Sequence, residues 1–513
     1  MQEIKIGNLS LRIRNGKEIV RDFTAVLHAG DKLFIIGEEG NGKTTLLKFI
    51  YDSHLTERYA EGTKRIPDIR IGYLEQQLDP LWENHTVFEF LFTHRLYENL
   101  DYEFYRDWKK IESVFAAFQL QESEMENRLI RSCSGGEKVK LQWIKLLIRK
   151  YDLLLLDEPT NDLDAESVQK MERILCDEST PMIVVSHDES LIRSAANQIL
   201  HLEQIKDKTE MRFTYFKGSY GAYLSRRSAD FARQKRDHVR TKREKESLAD
   251  RLSRQHQLVE NDLNRAVRDP VQGRLLAKKM KNIKAQEKRL EKMEITSQPD
   301  FEQDISLFFD DAVELHPKTK ILDLRGQTLQ IGDRVLIETY DFSFSGRTHV
   351  VITGDNGAGK TTLLKELYRR IDRTRFRVQY VPQNYGELLS GQMSVLDYLS
   401  EELVDSSKET RRQIMTLLGC LHFEEKEMRG ALSDLSGGQK VKVLIALIAL
   451  KKADVLVLDE ITRNLSPLSE PRVRAILKDF KGAILSVSHD RKFIEEVGEQ
   501  VYAIRMRKLV RLR

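Results

Sequence analysis

GEEGNGKTT, at residues 37–45, returns as GDNGAGKTT at residues 354–362. Both stretches follow the pattern Gly-x4-Gly-Lys-Thr, in which backbone N–H groups and a helix N-terminus surround the phosphates of a nucleotide. The lysine reaches the β- and γ-phosphates, and the threonine after it offers a hydroxyl to Mg²⁺. The residues predicted to bind nucleotide here are Gly37, Gly40, Asn41, Gly42, Lys43, Thr44 and Thr45, and then Gly354, Asn356, Gly357, Ala358, Gly359, Lys360, Thr361 and Thr362.

Three further motifs follow each loop in the same order. They are CSGGEKVK and LSGGQKVK, LLLLDE and VLVLDE, and VVSHD and SVSHD. The separation from the serine of the first motif to the histidine of the last is 53 residues in both halves, from Ser134 to His187 and from Ser436 to His489. One toolkit for nucleotide hydrolysis is therefore present twice.

The apolar runs before each Asp-Glu pair predict buried parallel strands. Each strand delivers an aspartate, Asp157 or Asp459, to Mg²⁺, and the next residue, Glu158 or Glu460, is placed to polarise the attacking water as a general base. Both histidines follow apolar strands and are predicted to contact the γ-phosphate. Gln76 and Gln383 close strands at comparable places and are predicted to sense Mg²⁺ or water. The predicted metal ligands are Thr44, Gln76, Asp157, Thr361, Gln383 and Asp459.

Each Ser-Gly-Gly is predicted to start a helix, where a hydroxyl and a helix N-terminus form a second phosphate cradle. A second cradle indicates ATP held between two domains that pack head to tail. Site one would pair Lys43, Gln76, Asp157, Glu158 and His187 with Ser436, Gly437 and Gly438. Site two would pair Lys360, Gln383, Asp459, Glu460 and His489 with Ser134, Gly135 and Gly136.

Composition limits the class of protein. The chain has 513 residues, 40% hydrophobic and 32% charged, without the ~18–20 consecutive apolar residues of a membrane helix. Its N-terminus alternates like a strand, and the three cysteines are far apart, which is typical of a reducing compartment. We therefore expect a soluble, cytoplasmic protein without a membrane domain.

Charge is concentrated in the connector between the halves. The net charge of the chain is +4, but residues 222–297 hold 21 Lys and Arg against 11 Asp and Glu. The last nine residues hold five more basic side chains. Such a connector favours a polyanion, best matched by structured RNA, over the alternative of a solvated spacer.

The connector is rich in helix formers and too polar for a protein interior, which predicts a projecting helical hairpin. The predicted domains are residues 1–218, 219–299 and 300–513. Equal arms would place the turn near Leu258, with the alternative that RDPVQGR at residues 268–274 is the turn. The predicted tip comprises Arg254, Gln255, His256, Gln257, Leu258, Val259, Glu260, Asn261 and Asp262.

These motifs resemble the nucleotide-binding domains of the ABC superfamily: Walker A, Q-loop, signature, Walker B, D-loop and H-loop, twice. Two such domains with a charged helical linker and no membrane segment resemble the ABC-F family. The resemblance implies an α/β fold with two tandem P-loop domains joined by a helical hairpin, two ATP and Mg²⁺. It implies a monomer that acts as an intramolecular cassette pair. It also implies binding to the 70S ribosome at the E site, with the linker directed at 50S rRNA and the P-site tRNA, and release on ATP hydrolysis.

The second D-loop departs from the family pattern. Residues 157–164 read DEPTNDLD, whereas residues 459–469 read DEITRNLSPLS, so that Arg463 and Ser466 replace Asn161 and Asp164. This D-loop is similar to that of antibiotic-resistance members, which displace pleuromutilin, lincosamide and streptogramin A drugs from the peptidyl-transferase centre. The alternatives are a general ABC-F translation factor, a transporter ATPase subunit and a DNA-repair ATPase. GTP is an alternative nucleotide, since no aromatic residue stands at the expected base position near Ile13 or Ile331.

Overall fold

The computed structural model describes residues 3–14, 16, 18–38, 40–93, 108–118, 120, 127–161, 163, 165–205, 210–265, 270–291, 315–332, 334–355, 357–383, 389, 391–403, 407–421, 423, 425–435, 437–462 and 465–513. The chain divides into two compact units, Met1–Tyr220 with Gln303–Arg513, and Gly221–Glu302. Below, cassette 1 denotes residues 1–218 and cassette 2 denotes residues 300–513, both within the first unit.

Cassette 1 is built on two sheets. Its strands are β1 Ile4–Ile13, β2 Glu18–Leu27, β3 Lys32–Gly37, β4 Ala60–Arg65, β5 Ile71–Leu74, β6 Leu153–Asp157, β7 Met182–Val185, β8 Gln198–Ile205 and β9 Glu210–Lys217. An antiparallel sheet has the order β2-β1-β4, and a second sheet has the order β5-β6-β7-β3-β8-β9, parallel except for β9. Every residue of β3 and β6 is buried, which explains their continuous apolar sequences.

Helices of cassette 1 cover this second sheet and follow its strands. They are α1 Lys43–Tyr51, α2 Val87–Phe92, α3 Trp108–Ala117, α4 Gly135–Leu147, α5 Ala165–Asp177 and α6 Glu189–Ala195, with short 3-10 helices at Ser53–Leu55, Pro80–Asn84 and Ile130–Ser132. Alternation of parallel strands and helices gives the doubly wound α/β fold that the repeated motifs predict.

Cassette 2 repeats the plan. Its strands are β10 Lys320–Ile331, β11 Arg334–Ser345, β12 His349–Gly354, β13 Val378–Val381, β14 Val455–Asp459, β15 Ala483–Val487, β16 Gln500–Arg505 and β17 Lys508–Arg511. The main sheet has the order β13-β14-β15-β12-β16-β17, which matches cassette 1 strand for strand. The prediction of two tandem P-loop domains is therefore confirmed. Of the five basic residues in the last nine, Lys508 and Arg511 lie in the antiparallel edge strand β17.

The remaining helices belong to the connector and to cassette 2. The connector consists of α7 Tyr220–Arg265 and α8 Pro270–Glu291. Cassette 2 contains α9 Lys360–Arg370, α10 Val395–Glu402, α11 Lys408–Cys420, α12 Glu425–Met428, α13 Gly437–Leu450, α14 Glu470–Lys478 and α15 Arg491–Glu496, with a 3-10 helix at Leu432–Asp434. Among the described residues, no helix is both long and apolar enough to cross a bilayer.

The position predicted for the hairpin tip is wrong. Residues 254–262 are helical throughout and belong to α7, which continues to Arg265, while α8 begins at Pro270. In the described part of the connector the two helices have 46 and 22 residues, and the first continues past Leu258, the midpoint that equal arms predict. The segment between the helices, residues 266–269, lies outside the described residues. The alternative turn RDPVQGR overlaps it at residues 268–269, but residues 270–274 of that alternative are helical. Within the unit Gly221–Glu302, His256 Nδ1 lies 2.8 Å from Glu287 Oε1, and this contact joins the two helices.

A physical reason for the difference is found in the residue types. RQHQLVEND has no glycine or proline, so nothing in it stops a helix. Pro270 occupies the first position of α8, where its missing N–H costs nothing and its fixed φ favours helix initiation. Proline therefore begins the returning arm.

Candidate nucleotide sites

Each phosphate loop lies between a central strand and a helix. Gly42 and Gly359 are the residues immediately before α1 and α9, with φ of 84° and 95°. These are left-handed conformations that side chains disfavour, and a Cβ there would also collide with Ile19 or Leu336. Only glycine fits, and the first turn of each helix is left open toward the loop, as anion binding requires.

The loop lysines are held in matching positions. Lys43 Nζ donates to the carbonyl oxygen of Gly37 at 2.8 Å and to the next carbonyl along at 2.8 Å. Lys360 Nζ does the same with Gly354 at 3.0 Å and with the following carbonyl at 2.8 Å. Both ammonium groups therefore lie inside the loop that would surround the phosphates. Asn41 is buried and donates to the carbonyl of Leu202 at 2.8 Å, which gives it a structural contact. Ala358 takes the equivalent position in cassette 2, and Asn356 lies outside the described residues.

The aspartates at the strand ends lie beside the loop threonines. Thr361 Oγ1 donates to Asp459 Oδ1 at 3.2 Å. Burial raises the pKa of Asp157 to about 6, and the Thr44 hydroxyl and Lys43 offset only part of that rise. Burial also raises the pKa of Asp459. A carboxylate beside a hydroxyl is an all-oxygen donor set, which fits Mg²⁺.

Both glutamates that follow have unusual backbones. Glu158 and Glu460 have φ of 50° and 49°, a left-handed conformation that non-glycine residues rarely adopt. Their N–H groups donate to Val185 and Val487 at 2.9 Å each, which holds the strained positions. Burial raises the pKa of Glu158 to about 8. Strain of this kind concentrates at functional sites.

The histidines lie next to these glutamates. His187 donates its backbone N–H to Glu158 Oε2 at 3.2 Å, and its Nε2 lies 3.5 Å from Glu158 Oε1. His489 Nε2 lies 3.6 Å from Glu460 Oε1. Burial and then Lys43 lower the pKa of His187 to about 3, so that imidazole is neutral at physiological pH.

The two glutamines differ in position. Gln383 Nε2 donates to Glu460 Oε2 at 2.6 Å. The residue predicted to sense Mg²⁺ or water therefore contacts the predicted general base. Gln76 is exposed in the bend after β5. The two sites are thus unequal in this structure, although their sequence motifs match.

The second site is a cleft between the cassettes. Its cavity of about 820 Å³ is large enough for a nucleotide. Ser134 caps α4 by accepting from the N–H of Glu137 at 3.3 Å, so the helix begins at the cleft. The lining includes Ser134, Gly135 and Gly136 from cassette 1, and Gly357, Gly359, Lys360, Thr361, Thr362, Gln383 and Glu460 from cassette 2. Of the residues predicted for site two, the signature residues of cassette 1 therefore share a cleft with Lys360, Gln383 and Glu460, whereas Asp459 and His489 do not line it.

At the first site the same combination stays a prediction. Ser436 lies outside the described residues, and Gly437 and Gly438 begin α13. The D-loop residues Asp162, Asp164 and Arg463 also lie outside them. Ser466, which replaces the usual aspartate, is buried and accepts from the N–H of Ser469 at 3.2 Å.

Two contacts to the D-loop of cassette 2 were not predicted. His187 Nδ1 lies 2.7 Å from the carbonyl oxygen of Leu465, in the D-loop of cassette 2. The buried hydroxyl of Tyr220, the first residue of α7, donates to the carbonyl of Pro467 at 3.3 Å. Both acceptors are backbone oxygens, and a backbone acceptor leaves no signal in a sequence motif.

Known proteins agree with this architecture. The sequence profile described as "ABC transporter" matches residues 20–161 and 337–463. The chain is 28% identical over 511 residues to the ribosome protection protein VmlR of Bacillus subtilis, covering 97% of this chain and 86% of that protein. It is 25% identical over 546 residues to ABC transporter F family member 2 of Arabidopsis thaliana, covering 98% and 76%. The solved structure titled RNase-L Inhibitor shares the fold, with a TM-score of 0.57 at 18% identity over 97% of this chain and 87% of the other. With its two ATP-binding cassettes, the chain is an ATPase that belongs to the ABC transporter family, among relatives of the ABC-F type.

Proposed function

We propose that this chain is an ATP-dependent ribosome-binding protein that enters the ribosomal E site and protects the ribosome from drugs at the peptidyl-transferase centre. The observation that carries the proposal is a basic helical hairpin attached to a pair of nucleotide cassettes. The similarity to a protein named for ribosome protection supports the choice of partner. Displacement of pleuromutilins, lincosamides or streptogramin A is the proposed outcome, and hydrolysis releases the protein.

Two ATP molecules bind in this proposal, one on each phosphate loop. Lys43 and Lys360 hold the β- and γ-phosphates, and the Ser-Gly-Gly of the opposite cassette closes over each nucleotide. Mg²⁺ would be held by Thr44 with Asp157, and by Thr361 with Asp459, with Gln76 and Gln383 able to join as each site closes. Bound there, it would supply charge neutralisation at the phosphates.

Glu158 and Glu460 polarise the attacking water, and His187 and His489 orient the glutamates and contact the γ-phosphate. The 3.5 Å and 3.6 Å separations between histidine and glutamate support this division of roles. The hydrogen bond from Gln383 to Glu460 supports a general base in site two that is held in position by the Q-loop glutamine of the same cassette. Two glutamates imply two sites capable of hydrolysis.

The linker supplies the surface for RNA, and we retain residues 219–299 as its proposed limits. Its exposed basic side chains occur along both helices, where they are available to phosphates. They include Arg226, Arg233, Arg236, Arg240, Lys242, Arg243, Arg251, Arg254, Arg274, Lys278, Lys279, Lys281, Lys284, Lys288 and Arg289. Exposed Leu258 and Leu275, 65% and 60% accessible, lie toward the connected ends of the two helices and add apolar contact there.

Drug susceptibility tests the function. A sensitive Gram-positive host expressing the chain should tolerate more lincomycin, tiamulin and virginiamycin M than the host alone. Replacing residues 263–272 with a short glycine turn should abolish that tolerance, because the proposed tip now lies between α7 and α8. The matched control replaces exposed Gln255 and Gln257 with alanine, which preserves the helix and should preserve protection.

Unchanged susceptibility to all three drugs would contradict drug protection. If the chain still co-sedimented with ribosomes in those cells, the general ABC-F translation factor would replace the proposal. If it did not co-sediment, ribosome binding itself would be overturned.

A further inference from the structure

Two ion pairs join the cassettes. Arg474 Nη2 of cassette 2 donates to Glu189 Oε2 of cassette 1 at 2.7 Å, and these side chains are 2% and 4% exposed. Arg491 Nη1 of cassette 2 donates to Glu172 Oε2 of cassette 1 at 2.7 Å, with 28% and 16% exposed. In both pairs cassette 1 supplies the acid and cassette 2 the base.

These four residues occupy two equivalent positions. His187 and His489 are 302 residues apart, and so are Glu172 and Arg474. Glu189 and Arg491 have the same separation of 302 residues. The first position is on α5 or α14 and the second is on α6 or α15, so each pair joins a first position to the second position of the other cassette. The repeat therefore conserves the geometry and reverses the charge.

Reversed charge at equivalent positions makes the interface selective. If two copies of cassette 1 met through this face, Glu172 would oppose Glu189 in both contacts. If two copies of cassette 2 met, Arg474 would oppose Arg491 in both contacts. Like charges brought together in these contacts disfavour the wrong partner, whereas in the mixed combination each glutamate faces an arginine.

The buried pair is also held in position from within each cassette. Arg193 Nη2 donates to Glu189 Oε1 at 2.6 Å in cassette 1. In cassette 2, Arg474 has Glu496 at 3.0 Å and Glu470 at 3.4 Å. Glu189 and Arg474 are therefore held in position before the cassettes meet, which lowers the entropy cost of forming the contact.

We propose that this reversed charge pair is the recognition surface through which cassette 1 selects cassette 2, and not a second copy of itself, when the sites close. This selection of one cassette by the other does not depend on binding to the ribosome. A neighbouring chain exchanging cassettes would satisfy the same charges, but the linker gives the intramolecular contact a much higher effective concentration.

The Glu172–Arg491 pair is the one to test. A glutamate in place of Arg474 would lie among its acidic neighbours, and their repulsion would oppose folding. Full-length chains would carry Glu158→Gln and Glu460→Gln to stop turnover, and then Glu172→Arg, Arg491→Glu, or both. Exposed Cys176 and Cys420 place one reactive thiol on each cassette for a fluorophore pair, while Cys133 is buried. Energy transfer between the labels then reports closure as ATP is added.

Each single reversal should raise the ATP concentration for half-maximal closure about tenfold, the low end of the coupling measured for close charge pairs. The double reversal should return it close to the parent value. Thermal unfolding without ATP should be alike in all four chains, which separates closure from folding. Single reversals that close like the parent, or a double reversal as impaired as the singles, would overturn the proposal.

Partner selection is tested by mixing. The chain with Glu172→Arg and the chain with Arg491→Glu complement each other across two molecules. At about 100 μM, where exchange competes with the linker's effective concentration, ATP should produce a two-chain species in the mixture only. Sedimentation velocity would measure it. No such species in the mixture, or an equal amount in either chain alone, would overturn selection by charge.

Discussion

His187 Nδ1 lies 2.7 Å from the carbonyl oxygen of Leu465 on the opposite cassette. A carbonyl only accepts, so Nδ1 must carry a proton. Because burial lowers the pKa of His187, the ring is neutral, and Nε2 is left as the acceptor that faces Glu158. The histidine of cassette 1 therefore contacts the D-loop of cassette 2, and in the proposed mechanism this contact links site one to the pairing of the cassettes.

Loss of this histidine should silence site one selectively. In a chain with Glu460→Gln, steady-state turnover reports site one alone. Adding His187→Ala should lower that turnover about 100-fold, since it removes both the D-loop contact and the orientation of the base. His489→Ala in the same chain is the control and should change little. Equal losses from the two histidine variants would show that the His187–Leu465 contact has no special role.

The glutamine contact should matter at site two. Gln383 donates to Glu460 at 2.6 Å, whereas Gln76 is exposed. In a chain with Glu158→Gln, Gln383→Ala should lower kcat about tenfold, the effect of losing a hydrogen bond to a charged group. Gln76→Ala, measured in the Glu460→Gln chain, should cost less. If the two alanine variants lost equal activity, the asymmetry seen between the sites would carry no functional weight.

Glu158 should make stability depend on pH. Its pKa rises from an ordinary 4.5 to about 8, so the folded chain holds this proton more tightly than the unfolded chain does. Its stabilising contribution is full below pH 4.5 and is lost as pH rises through 8. Glu158→Gln should therefore raise the Tm of the nucleotide-free protein relative to wild type more at pH 8 than at pH 5. Scanning calorimetry at both values checks this, and a constant or reversed difference would contradict it.

The base of the linker should influence closure. Tyr220 begins α7 and donates to the Pro467 carbonyl at 3.3 Å. Tyr220→Phe keeps the buried ring but leaves that carbonyl without this donor, which costs about 1 kcal/mol in the closed form. Half-maximal closure should then need more ATP. Tyr223→Phe is the control, because the Tyr223 hydroxyl accepts from Arg227 within the same helix. Equal behaviour of the two variants would remove Tyr220 from the closure mechanism.

The comparison of sequence and structure separates what motifs can and cannot predict. Loop glycines and strand-end carboxylates act through local backbone geometry, so their spacing predicted the fold. The acceptor oxygen of Leu465 is common to every residue type, and no pattern could have revealed it. The charge reversal between Glu172 and Arg474 is visible in the sequence, but only the structure shows that these positions meet the other cassette.

The linker shows a different limit. The assumption of equal arms predicted the tip at residues 254–262. The length of a helix depends instead on where glycine and proline interrupt it. Helix formers carry α7 on to Arg265, and Pro270 starts α8. The absence of glycine and proline between residues 222 and 265 favours a helix through residues 254–262. Residues 270–274, which belong to the second alternative for the turn, are helical as well.

Ribosome co-sedimentation of the double variant Glu158→Gln and Glu460→Gln is the most direct test of the account. Both proposed bases are removed while the phosphate loops and signature helices remain, so ATP should hold the cassettes closed. With ATP, far more of this variant than of wild type should pellet with 70S ribosomes, and with ADP neither should. Equal amounts of variant and wild type in the ATP pellet would contradict binding by the closed form and release by hydrolysis.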